Sequence, residues 1–315
     1  MEGVIAEDRY LGAAAISPLL DLRGIITVLN TPFTRDDAID VDGLKENVRR
    51  AIKGGVIGFL VPAMASEVEK LSEAERDLMV KSVVETARGS AAVIGGASAP
   101  TSGARVRHAL RCVELGCDGV LASIPFLDES QYERDVRSLA ELNPPFLMLQ
   151  DWDAIGSGVP VHVIARLFSE IDVFRCLKIE VVPAGIKYSE VREATNSQLH
   201  LSGGWAVMQM IEALDRGVHA FMPTGMHEIY CQIYSLYSDG KRREAQTLCN
   251  RLLPVLAFSN QHLDISIHFF KRLLHRQGIY ATPRVREPIL PFDSHHQRIA
   301  DDLIDDVIEL TKEIG

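Results

Sequence analysis

A lysine and a glutamate stand two residues apart inside a mainly apolar run at 174–180. The run reads as a strand, and strand side chains alternate faces, so Lys178 and Glu180 point the same way. If that face is interior, two ionisable groups sit where burial is costly unless they pair or react. Burial favours a lysine's neutral amine, the form that condenses with a ketone, and an adjacent carboxylate can shuttle protons. A Lys–Glu pair with a structural role is the competing reading. Gln150-Asp151 closes a neighbouring apolar run, and Ser202-Gly203-Gly204 closes another. Ala65-Ser66, in a loop of small residues with free backbone N–H groups, suits a carboxylate ligand. Each has a plain alternative: an Asx turn at Asp151, a simple turn at Ser202-Gly203, and a buttressing role for Glu67.

Metal and nucleotide chemistry find little support. His262 and His268 lie six apart, His295 and His296 are adjacent, and no Cys/His cluster has zinc spacing. No strand-borne G-x-G-x-x-G is present, so the expectation is no cofactor and no metal. A net charge of -10 lacks the basic footprint of a nucleic-acid binder. The five cysteines form no Cys-x-x-Cys pair, and their odd number points to reduced thiols and the cytoplasm. Acidic residues precede any basic one near the start, and the apolar patch at 11–20 is broken by Ser17 and Pro18. No targeting signal and no membrane segment are therefore expected.

Positioning these groups falls to a repeated strand–helix pattern in a chain of 315 residues, 47% hydrophobic and 24% charged. Apolar strand runs are expected at 24–29, 56–62, 91–95, 117–123, 145–150, 174–179, 198–202 and 219–223. Helical spacing fills the intervals: Asp40 caps a helix at 40–54, and Ser72 with Glu75 forms a capping box opening a helix to Ala87. Others are expected at 102–115, 130–140, 160–169, 186–193 and 205–214. Continuous rather than alternating apolar strands imply a parallel sheet covered on both faces. Eight such units predict an α/β fold, a (β/α)8 TIM barrel with a C-terminal helical appendage. The division is an N-terminal extension at 1–21, the barrel at 22–240 and a helical region at 241–315. Helices are expected at 228–238, 241–256, 266–276 and 294–313, the first of them completing the barrel.

On these motifs the chain resembles the dihydrodipicolinate synthase and N-acetylneuraminate lyase superfamily of class I aldolases and dehydratases. The marks are the run 24–33, the run 58–67 followed by Leu71-Ser72-Glu73-Ala74-Glu75-Arg76, the run 119–125, Lys178 and Ser202-Gly203. The resemblance implies that Lys178 forms a Schiff base with a 2-keto acid while the loop at Ala65-Ser66 holds its carboxylate. It also implies a homo-oligomer, a tetramer or a dimer, acting on a small molecule.

Departures from the family pattern narrow the chemistry. Where the family has Gly-Thr-Thr-Gly-Glu, this chain has Ala63-Met64-Ala65-Ser66-Glu67, and Met64 cannot relay protons. Where the family has a tyrosine at the end of the fifth strand, this chain has Gln150. The aromatic pair expected after the fourth strand is reduced to Phe126-Leu127. The 2-keto-3-deoxy-L-arabonate dehydratases carry nearly the same substitutions, and Ser66-Glu67, Gln150-Asp151, Lys178-Ile179-Glu180 and Trp205 resemble them. That branch removes water to give 2-oxoglutarate semialdehyde. By this resemblance Lys178, Glu180 and Gln150 are catalytic, and Ala65, Ser66, Asp151, Ser202 and Gly203 bind substrate. A pyruvate-dependent aldolase or condensing enzyme is the alternative within enzymes. A silent carboxylate-binding barrel is the alternative outside them.

Overall fold

Short apolar runs that end in Gly, Pro or a polar pair form the strands, and the amphipathic segments between them form helices. The computed structural model of the protein describes residues 21–314. Residues 1–20 of the expected N-terminal extension lie outside the described residues. The strands are β1 (Gly24–Val28), β2 (Gly58–Val61), β3 (Ala92–Gly96), β4 (Gly119–Ser123), β5 (Leu147–Asp153), β6 (Phe174–Val181), β7 (His200–Gly203) and β8 (Ala220–Phe221). They are parallel and close in sequence order, with β8 pairing back onto β1. The predicted barrel is the observed one.

Between the strands run α1 (Val41–Lys53), α2 (Glu73–Ala87), α3 (Ser102–Glu114), α4 (Glu129–Ala140), α5 (Val161–Glu170), α6 (Ala184–Ala194) and α7 (Met210–Asp215). The expected caps form: Asp40 accepts from the Gly43 N–H, and Ser72 and Glu75 close a reciprocal capping box. After β8 come α8 (His227–Ser238), α9 (Arg242–Ser259), α10 (Leu263–Arg276) and α11 (Ser294–Ile314). α8 packs on β1, and α9 to α11 pack together beyond it.

Strand alternation sorts the core into two layers. Ile26, Val28, Leu60, Ile94, Leu121, Met148, Cys176, Ala220 and Met222 fill the barrel interior. Their outward neighbours, among them Ile25, Phe59, Leu149, Leu177 and Leu201, pack beneath the helices. Burying a side chain of this size contributes roughly 1.5–3 kcal/mol, which is what fixes register.

Two elements differ from expectation in ways that matter for the site. β5 was expected to stop at Gln150 but runs on to Asp153, so Asp151 and Trp152 are ladder residues that pair with Ile179 and Glu180. The helix expected at 205–214 is a 3-10 turn over Trp205–Gln209 followed by the short α7. That turn brings the backbone of Gly204 close above the end of β6.

Candidate active site

Lys178 and Glu180 both face inward from β6, above Cys176 in the barrel interior. Lys178 Nζ lies 3.1 Å from Glu180 Oε2. On the neighbouring strand Gln150 stands in register with Lys178, and its amide Nε2 donates a short hydrogen bond to the same carboxylate oxygen. The three side chains are 5%, 9% and 5% exposed for Lys178, Glu180 and Gln150, so the little surface they keep is the surface that lines a cavity. The amine and the carboxylate are thus held together in an interior where each would be costly alone.

That cavity has a volume of about 460 Å³. Val28 and Met222 form apolar parts of its wall, and Trp152, Ala154 and Val182 edge it where β5 and β6 end. Ala63, Met64 and Ala65 enter from the loop after β2, and the α9–α10 connection with the first turns of α10 faces them. Such size and mixed lining suit a small organic acid.

The loop after β2 is a 3-10 turn over Met64–Ser66. Within it Ser66 N–H bonds Ala63 O and Glu67 N–H bonds Met64 O, which leaves the Met64 and Ala65 N–H groups outside the turn's own ladder. Ala65 lines the cavity, as expected. Ser66 does not: it is fully buried, donates its hydroxyl to Leu29 O at 2.5 Å and accepts from the Ala63 N–H at 2.9 Å. The hydroxyl expected to hold a substrate carboxylate instead fastens the loop to β1. Asn30 donates to Ala65 O at 2.7 Å from the same side.

Asp151 also takes a different place. One residue beyond Gln150 on β5, it points outward, where it pairs with Lys187 of α6 at 2.6 Å and accepts from the Val159 N–H at 2.9 Å. Burial raises its carboxyl pKa even with Lys187 beside it. Ser202 and Gly203 are buried at the end of β7; Ser202 sits in register with Lys178 but neither lines the cavity.

Gly204 is the residue of that turn that touches the site. A Cβ built there would lie 1.8 Å from Glu180 Oε1 and 2.6 Å from Lys178 Cε. Only glycine leaves room for the pair, and no sequence signal separates it from Gly203. Tyr230 of α8 and Asn260 and Ser266 of the appendage, also lining residues, come from segments remote in sequence. Among the described residues no cluster of three or more His, Cys, Asp or Glu side chains is placed to hold a metal ion, and no helix is long and apolar enough to cross a membrane.

A parallel eight-stranded barrel with an interior lysine and carboxylate facing a cavity carries the groups that an imine-forming enzyme needs. The family model described as the dihydrodipicolinate synthetase family matches residues 21–306, and the chain belongs to that family. It is an enzyme of the lyase and aldolase type, whose members use a lysine Schiff base. It is 25% identical to a 4-hydroxy-tetrahydrodipicolinate synthase of Xanthomonas axonopodis pv. citri over 297 residues, 92% of this chain and 96% of the relative. It is 29% identical to an uncharacterised DapA-like lyase of Halobacterium salinarum over 253 residues, 76% and 79% of the two chains. The fold matches that of a dihydrodipicolinate synthase from Rhodopseudomonas palustris with a TM-score of 0.84 at 22% identity, covering 93% of this chain and 100% of that one. A sialic acid aldolase of Ruminococcus gnavus gives a TM-score of 0.84 at 15% identity, with 93% and 99% covered.

Proposed function

We propose that the enzyme is a hydro-lyase that removes water from a 2-keto-3-deoxy sugar acid through an imine at Lys178. One observation carries this reading: the group beside the lysine is a carboxylate, Glu180, 3.1 Å away and hydrogen-bonded to Gln150, where the wider family pattern has a tyrosine. Gln150 has no titratable proton, so proton transfer falls to Glu180.

The Lys178 amine adds to C2 of the substrate and expels water, forming a C=N bond. The iminium draws electron density from C3, and Glu180 takes the C3 proton, leaving the pair in a C2–C3 enamine. The enamine expels the C4 hydroxyl, protonated by Glu180, as water. With a five-carbon acid, proton shifts convert the C5 carbinol to an aldehyde, and hydrolysis of the imine frees the amine and 2-oxoglutarate semialdehyde. General acid–base help of this kind contributes typically about 10²–10⁴-fold. The Met64 and Ala65 N–H groups are assigned to the substrate carboxylate in place of Ser66, and Gln150 to orienting Glu180.

A condensing enzyme is the second reading, favoured by the similarity to the Xanthomonas 4-hydroxy-tetrahydrodipicolinate synthase. Parallel measurement of kcat/KM separates the two: 2-keto-3-deoxy-L-arabonate losing water, against pyruvate condensing with aspartate semialdehyde. Dehydration is expected to dominate; condensation faster by tenfold or more would overturn the assignment. We also read the protein as a homo-oligomer, tetramer or dimer, in keeping with its family. Light scattering at micromolar concentration checks this, a clean monomer being the contrary result.

A further inference from the structure

Beside the Lys178–Glu180 pair the cavity has a second polar wall. Thr224, just beyond β8, Tyr230 of α8, Asn260 at the end of α9 and Ser266 of α10 all line it. None of these four side chains has a hydrogen-bond or ionic partner among the described residues. Tyr230 is the sharpest case, because it is only 1% exposed and burial holds its pKa up, keeping it a neutral phenol. Polar groups that line a cavity in this way can bond a ligand's hydroxyls. Met222, Leu256 and Phe270 line the same cavity and bring no polar side chain to it.

The charge of the lining narrows the ligand. Among the described residues Lys178 is the only lysine that lines the cavity and no arginine does; the remaining basic side chain there, His262, accepts at Nδ1 from the Asp264 N–H. The second wall offers hydroxyl and amide groups, which match a substrate's hydroxyls and give no counter-charge to a second carboxylate. We infer that Tyr230, Thr224, Asn260 and Ser266 form a subsite that grips the hydroxylated tail of an acid whose carbonyl end lies at Lys178. The inference rests on the proposed use of this cavity for a keto acid, and it adds the residues that select the tail. Sites built to bond a hydroxyl discriminate strongly against analogues that lack it, because their own polar groups are then left unpaired.

The test uses acids without a ketone, which cannot form an imine, so it does not depend on the chemistry at Lys178. Calorimetry on the wild-type chain compares 3-deoxypentonate with 2-hydroxypentanoate, an acid of equal length lacking the tail hydroxyls. The expected result is at least tenfold tighter binding of the hydroxylated acid, about 1.4 kcal/mol. Tyr230→Phe and Asn260→Ala are each expected to reduce that advantage at least threefold while leaving the 2-hydroxypentanoate Kd unchanged. Equal affinity for the two acids, no binding of either, or variants that weaken both acids alike would overturn the subsite. Should one variant fold poorly, the wild-type comparison and the other variant decide. Borohydride trapping at Lys178 reads the imine chemistry separately, so failure of one is distinguishable from failure of the other.

Discussion

Lys271 of α10 donates from a fully buried ammonium to Glu67 Oε1, in the loop that follows β2. Glu67 takes the left-handed conformation, φ 57°, and its other oxygen accepts from the Arg286 N–H at 2.8 Å. Lys271 also donates to Arg284 O at 2.7 Å and stands over the Phe33 ring, 4.2 Å from its centroid. This ion pair therefore ties the appendage to the loop whose Ala63, Met64 and Ala65 line the cavity, and Phe270, the residue before Lys271, lines that same cavity.

Burial lowers the Lys271 pKa to about 8, and the pair joins α10 to a loop 204 residues earlier in the chain. Removing one member leaves the other charged and buried, a loss of roughly 3–5 kcal/mol. Glu67→Gln and Lys271→Met are each expected to fall by that order in urea unfolding and to raise KM more than they lower kcat. The double variant should recover part of the stability. Single variants as stable as wild type would remove the clamp.

Glu180→Gln keeps size and hydrogen bonding while deleting the carboxylate. Imine formation should survive, and turnover should fall at least about 10²-fold. Trapped imine and kcat measured on the same preparation decide; an unchanged kcat would return Glu180 to a structural role.

Gly204→Ala tests the fit around the pair. The clash is with the side-chain ends of Glu180 and Lys178 rather than with backbone, and φ at Gly204 is -97°, so alanine fits only if the pair shifts. Turnover is expected to drop by at least about tenfold, close to 1.4 kcal/mol of barrier, with the melting temperature nearly unchanged. Wild-type turnover in this variant would show that Glu180 need not hold its observed position.

Three buried histidines contribute to the acid sensitivity of the fold. Burial lowers His200 to about 3, and His219 and His227 to about 4, from an ordinary 6.5. His227 Nε2 lies 3.1 Å from Asn47 Oδ1 and its Nδ1 lies 3.2 Å from Thr27 Oγ1, so both ring nitrogens are engaged inside the core. Between pH 6.5 and 4 the unfolded chain binds protons that the folded one does not. Stability is therefore full above pH 6.5 and falls as the pH drops toward 4, by up to about 1.4 kcal/mol per histidine per pH unit. Urea midpoints across this range check the sign; constant midpoints would contradict it.

Much of this was readable from local pattern. The two-residue period put Lys178 and Glu180 on one face, the alternating runs predicted eight strand–helix units, and Ser72 with Glu75 marked the start of α2. Glu67 was expected as a buttress and is one, although its partner Lys271 carries no local signal. Asp151 was misplaced because β5 runs three residues beyond Gln150, turning that carboxylate toward Lys187. Ser66 was misplaced because its hydroxyl meets Leu29 O, a contact made only when β1 and β2 are neighbours. Tyr230 and Asn260 reach the cavity through the packing of α8 and α9, which periodicity does not encode.

Lys178 is proposed to be the residue that forms the imine. Wild-type protein treated with pyruvate and borohydride, digested and weighed, should carry the reduced adduct on the peptide containing Lys178 and lose activity, whereas Lys178→Ala should show neither adduct nor turnover. An adduct on another lysine, or retained turnover in Lys178→Ala, would contradict the account.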